Sequence, residues 1–95
     1  MSGSNISSEG LDARRRRLLF RAWHRGMREM DLIMGKFADA EIGEMSEADL
    51  DVFEQLSDVP DPELYDWIAN NTEVPQQHDT ALLKRLRAFH HGKGV

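Results

Sequence analysis

Between Gly26 and Gly43 the apolar residues Met27, Met30, Ile33, Met34, Phe37 and Ala38 recur at three- and four-residue steps. That spacing gathers them on one side of an α-helix and scatters them over both faces of a strand. It predicts a helix from about Met27 to Ala40 whose apolar face other parts of the chain must cover. Those parts carry the same pattern. Leu11 to His24 reads as an arginine-rich helix with Leu18, Leu19, Ala22 and Trp23 on its apolar side. Ser46, with Asp49 three residues on, resembles an N-cap with an acidic partner ahead of a helix from about Glu47 to Leu56. Asp61-Pro62-Glu63 reads as another start, with Asp61 accepting from a free amide and Pro62 losing nothing at the first helical position. Leu64, Trp67 and Ile68 form its stripe, and Asn70-Asn71 ends it. After Pro75 and the polar Gln76, Gln77 and His78, either Asp79 or Thr80 caps a last helix, with Leu82, Leu83, Leu86 and Phe89 inward and Gly92 at its end. No stretch sustains period-two alternation. The expected fold is all-α: a small single-domain bundle of about five short helices over residues 11–92, with a disordered tail over 1–10 and a short C-terminal tail over 93–95.

A chain of 95 residues buries only about 60–65% of its unfolded surface, so this core is thin. Its 40% hydrophobic and 31% charged residues still suit a folded chain rather than a disordered one. Cysteine is absent, which removes disulfides, thiolate metal sites and a cysteine nucleophile. No apolar run approaches the roughly 20 residues of a membrane span, so membrane insertion is not expected. Met1 to Asn5 lack the order of a secretory signal, and Glu9 and Asp12 interrupt the serine-and-arginine pattern of a transit peptide. The expected location is the bacterial cytoplasm rather than the mitochondrial matrix.

The net charge of -5 conceals a division. Arg14 to Arg17, Arg21, Arg25, Arg28 and Lys36 crowd the first part, whereas Phe37 to Leu83 contain no lysine or arginine and hold most of the acid. A basic helix is the electrostatic footprint of nucleic-acid binders, so Arg14 to Arg17 with Arg21 supply one reading, a helical nucleic-acid or ribosome-associated protein. The acidic remainder and the lack of a reading motif weigh against it. No catalytic constellation emerges: the serines sit in the tail or at caps, and His78, His90 and His91 fall in a loop or at a chain end. His90-His91 point different ways on a helix, and no His-x-x-x-His pair completes a metal site.

There remains His24-Arg25-Gly26-Met27-Arg28-Glu29-Met30-Asp31, a glycine between arginines with two carboxylates within the next turns. As plain structure it is a helix-helix corner, with glycine for the turn and Arg25 and Glu29 for local pairing. Arg25-Gly26-Met27-Arg28-Glu29, followed by Asp31 and Phe37, also resembles the RGxxE signature of the SdhE family, the FAD assembly factors of succinate dehydrogenase. The acidic helix from Ser46 to Phe53 and the block Asp61-Pro62-Glu63-Leu64-Tyr65-Asp66-Trp67 extend that resemblance over roughly Arg15 to Phe89. His24 departs from it, standing where many members have arginine, and Leu11 to Arg14 have no firm counterpart.

The resemblance implies a five-helix bundle that is not itself an enzyme. It implies a protein, expected to be a monomer, that binds the flavoprotein subunit of succinate dehydrogenase, and in some organisms that of fumarate reductase, and promotes covalent attachment of FAD to a histidine of that subunit. It implies no stably bound cofactor and no catalytic residue, the FAD acted on being the partner's. Gly26 would then allow close approach of the partner, with Arg25 and Glu29 making charge-assisted contacts and His24, Met27, Arg28 and Asp31 beside them.

Overall fold

The computed structural model describes residues 10–92. Both expected tails lie outside them except for Gly10. Five helices follow one another: α1 (Ala13–Trp23), α2 (Arg28–Glu41), α3 (Glu47–Ser57), α4 (Asp61–Ala69) and α5 (Ala81–Gly92). Single 3-10 turns at Ile42–Glu44 and Gln76–His78 join them, and no strand occurs among the described residues. The all-α bundle is therefore as the apolar spacing predicts.

The helix boundaries follow their caps. Asp12 is extended, so α1 starts two residues later than expected. Ser46 Oγ accepts from the Asp49 N–H at 3.1 Å, as expected of an N-cap. Of the two candidates ahead of α5, Thr80 serves: its Oγ1 accepts from the Leu83 N–H at 3.2 Å. Asp61 does not cap α4. Pro60 holds the N-cap position, Asp61 is already helical, and its carboxylate is engaged elsewhere.

α1 packs on α2 and α3, while α5 closes the far side against α2, α3 and α4. The apolar stripe of α2 lies at the centre, with Met30, Met34, Phe37 and Ala38 at most 1% exposed. Phe37 meets Phe89 edge-on at 5.6 Å between ring centroids and Phe53 at 6.2 Å, in the range where aromatic pairs attract. The core thus draws on all five helices, which is how a chain this short closes one.

A glycine that the spacing argument passes over sets the distance between α1 and α2. A Cβ on Gly35 would sit 2.3, 2.4 and 2.6 Å from three indole carbons of Trp23. Glycine inside a helix costs about 1 kcal/mol relative to alanine, yet here it gives the indole a flat surface of helix backbone. Trp23 keeps its polar end satisfied by donating from Nε1 to Asp39 Oδ1 at 3.2 Å.

Arginines stitch this bundle across its charge division. Arg14 donates to Glu47, Asp51 and Glu54 of α3 at 3.1, 2.6 and 2.9 Å, and Arg21 to Asp58 at 2.7 Å. Asp51 first, then Glu54, push the Arg14 guanidinium further above its ordinary range, so it stays charged at any pH the protein meets. Arg15 donates to the carbonyls of Ile42 and Met45, past the end of α2. Arg87 donates to the carbonyls of Trp67 and Thr72, at the end of α4.

Gly35→Ala should destabilise the fold by about 1–3 kcal/mol in urea unfolding, because overpacking outweighs the gain in helix propensity. In the double variant Trp23→Ala/Gly35→Ala, the loss should be clearly smaller than the sum of the two single losses. Simple additivity would show that the indole is not what forbids a side chain at 35.

Candidate functional site

The corner between α1 and α2 carries the whole motif, and the local chain explains its shape. α1 ends at Trp23, with His24 leaving helical geometry at φ -131 and donating its N–H to the Arg21 carbonyl at 3.2 Å. Gly26 sits at φ +99, a conformation that side chains resist, so the turn needs glycine for its backbone. Space is not the reason: nothing lies within 4 Å of where its Cβ would be. Met27 is the extended N-cap of α2, and its carbonyl accepts from the Asp31 N–H at 2.9 Å.

The motif divides by direction. Arg25, Met27 and Asp31 are committed to the protein itself. The Arg25 side chain is 8% exposed and lies across the junction of α3 and α4. Its Nε donates to Asp61 Oδ1 at 2.8 Å, Nη1 to the Ser57 carbonyl, and Nη2 to the Val59 carbonyl at 2.7 Å. Asp61 is itself only 15% exposed, so this ion pair is largely removed from water. The Arg25 N–H donates to the Asp31 carboxylate, which closes the loop on its own helix. Met27 is half-buried against the core.

This placement corrects the expectation that Arg25 offers its guanidinium to a partner. The donors named above are taken, because three acceptors meet there: the Ser57 and Val59 carbonyls where α3 ends, and the Asp61 carboxylate in the first turn of α4. The local pairing expected between Arg25 and Glu29 is also absent, Asp61 and Asp31 having taken those roles.

His24, Gly26, Arg28 and Glu29 face outward. Neither Arg28 nor Glu29 forms a side-chain hydrogen bond or ion pair among the described residues, so their full charge is presented to solvent. His24 is held in place: its Nδ1 N–H donates to the Phe20 carbonyl at 2.7 Å, and its ring meets Phe20 edge-on at 3.9 Å. Phe20, 53% exposed, and Leu32, 40% exposed, each stand one helical turn back from the corner, on α1 and α2. The site is thus a rigid, glycine-tipped corner with charges of both signs and two apolar side chains behind it.

Sequence reasoning missed Asp61, Ser57 and Val59 as supports of this corner. The signal in Asp61 was a helix start, and backbone carbonyls have no signal at all. Gly35 had one, being a glycine inside an apolar helical run, which marks a close approach.

Among the described residues no group of histidines and carboxylates is disposed to hold a metal ion. The basic-helix reading finds no support: Arg14, Arg15, Arg16 and Arg21 all have acceptors on the chain itself. Within that run Arg17 alone makes no such contact among the described residues.

Arg25→Ala should cost about 3–5 kcal/mol of stability, since it strands a buried carboxylate and leaves two carbonyls without their donor. Glu29→Ala should stay within about 0.5 kcal/mol of the parent. Thermal unfolding of the two variants measures both, and equal midpoints would contradict the inward role of Arg25.

Residues 16–90 match the family model described as flavinator of succinate dehydrogenase. The FAD assembly factor SdhE of Acetobacter pasteurianus is 40% identical over 85 residues, covering 90% of this chain and 78% of that one. The mitochondrial succinate dehydrogenase assembly factor 2 of Dictyostelium discoideum is 38% identical over 79 residues, 83% of this chain and 55% of that one. That of Scheffersomyces stipitis is 35% identical over 83 residues, 83% of this chain and 56% of that one. The chain therefore spans only about half of these two mitochondrial relatives. Its matched segment contains most of α1, all of α2 to α4 and most of α5, together with the entire corner. The chain belongs to the family of succinate dehydrogenase flavinators.

Proposed function

We propose that this protein is an assembly factor that binds the flavoprotein subunit of succinate dehydrogenase and promotes covalent attachment of FAD to it. The observation that carries the reading is the outward half of the corner: Arg28 and Glu29 make no side-chain hydrogen bond or ion pair among the described residues and nothing described lies within 4 Å of a Cβ at Gly26, yet Arg25 and Asp31 anchor the backbone on either side. A preorganised surface of this kind loses little freedom when a partner docks.

The chain acts by positioning and supplies no nucleophile of its own. The histidine that receives the flavin belongs to the client, and FAD is the client's substrate. Holding the client so that its two reacting groups meet in productive geometry can lower a barrier by several kcal/mol. Glu29 and Arg28 give the docking surface charge of both signs, and charge-assisted hydrogen bonds are the stronger kind. Gly26 admits the client's backbone, since no side chain stands between it and solvent. The protein acts as a monomer in the bacterial cytoplasm. Among the described residues, no helix is long and apolar enough to cross a membrane.

Gly26→Arg should abolish covalent flavin in a co-expressed flavoprotein subunit, read as flavin fluorescence of that subunit on a denaturing gel. Helix content by circular dichroism should remain close to the parent, although a side chain at φ +99 adds local strain. Glu29→Ala should reduce the same fluorescence with no loss of stability. Full flavinylation by both variants would sink the proposal.

A further inference from the structure

Two depressions flank Val59 and Pro60, the residues linking α3 to α4. The smaller, about 280 Å³, opens beside Arg21, His24, Arg25 and Asp61 and so adjoins the corner. The larger, about 560 Å³, lies on the other side, between the end of α3, α4 and the 3-10 turn at Gln76–His78. Val59 and Pro60 line both, so one surface runs from His24 past the linker to α4.

The larger groove has a fixed apolar floor and an acidic rim. Trp67 is 7% exposed and Val59 also 7%, so neither has freedom to move aside. His78 covers Trp67 with ring centroids 5.3 Å apart, and Pro75 forms the wall where the turn begins. On the rim stand Asp58 and Glu63, and no lysine or arginine lines the groove. Arg21 meets Asp58 at 2.7 Å, whereas Glu63 is exposed and has no cationic partner among the described residues. The groove therefore keeps one uncompensated negative charge over an apolar floor.

From this charge pattern and this continuity we infer that the groove receives a lysine- or arginine-bearing segment of the client flavoprotein, engaged together with the corner. The inference rests on the proposed function above. The methylenes of such a side chain lie along Pro75 and the His78 ring that covers Trp67, while its cation meets Glu63. The volume falls within the roughly 300–1,000 Å³ of pockets that enclose a compact ligand. A dinucleotide diphosphate fits poorly, because its negative charges would face Asp58 and Glu63. Opposite charge across the groove would raise the association rate and make binding salt-dependent.

The test uses the full chain and the purified flavoprotein subunit as probe, with Kd measured at two salt concentrations. Glu63→Gln should weaken binding about threefold and Glu63→Lys at least about tenfold, and Glu63→Lys should flatten the salt dependence. Circular dichroism should show both variants folded. A benzophenone amino acid at position 77, an exposed wall of the groove, should cross-link to a client peptide containing lysine or arginine. Parental affinity for both Glu63 variants, with Gly26→Arg unable to bind, would overturn the groove and leave the proposed function standing. A cross-link to a second copy of this chain, or to a client segment without a basic residue, would also overturn it. Parental binding by Gly26→Arg, or no binding by the parent itself, would overturn the proposed function and this inference together.

Discussion

Guanidinium groups at the ends of helices that are not their own hold this bundle together. α2, α3 and α4 each finish without a basic residue in the last turn, so each leaves carbonyls and the negative end of its dipole uncompensated. Arginines from the first helix, the corner after it and the last helix supply what is missing. Arg15 reaches the carbonyls just past α2, Arg25 and Arg21 those at the end of α3, and Arg87 those at the end of α4. His91 adds a further contact, its Nε2 lying 2.8 Å from the Ile68 carbonyl. The division of charge along the chain is thus a division of labour: the ends of α2, α3 and α4, which carry no base in their last turn, are met by arginines of α1, the corner and α5. A core this small benefits from such ties, because each also fixes the angle at which one helix meets the next.

The same economy accounts for what the sequence disclosed and what it withheld. Helix number, helix type and the inward residues of every stripe followed from periodicity, which reports burial directly; Met30, Phe37, Leu64 and Leu86 are all in the core. The cap at Ser46 followed from local chemistry, whereas Asp79 and Thr80 were equal candidates ahead of α5 until the fold singled out Thr80. Asp61 misled because aspartate before proline suits a helix start as well as it suits a buried ion pair, and only the third dimension brings Arg25 to it. The direction in which Arg25 points was likewise beyond a linear reading, since its acceptors are more than thirty residues away and two are main-chain carbonyls. Gly26 was read as a glycine needed for a turn, and its φ of +99 agrees; the pairing of Glu29 with Arg25 in the plain corner reading is not formed. Gly35 was legible in principle, but its partner, Trp23, was not.

This arrangement divides structural and uncommitted side chains within eight consecutive residues. Arg25 and Asp31 tie the corner down and Gly26 supplies its positive φ, whereas Arg28 and Glu29 point outward with no hydrogen bond or ion pair among the described residues. A side chain can seldom serve both ends well, because a buried guanidinium that also had to reach a partner would first have to abandon its acceptors. The small aromatic-imidazole pair of Phe20 and His24 stands between the two classes, anchored at one edge and open at the other.

One consequence concerns the portability of the motif. The residues that shape the corner come from the far end of α3 and the first turn of α4, over thirty positions downstream. A synthetic peptide from His24 to Asp31 would carry every letter of the signature and none of its conformation. Under the proposed function, recognition by a client would be a readout of completed folding: a nascent or damaged chain would display the letters without the shape, and so would not compete with finished molecules for an immature flavoprotein.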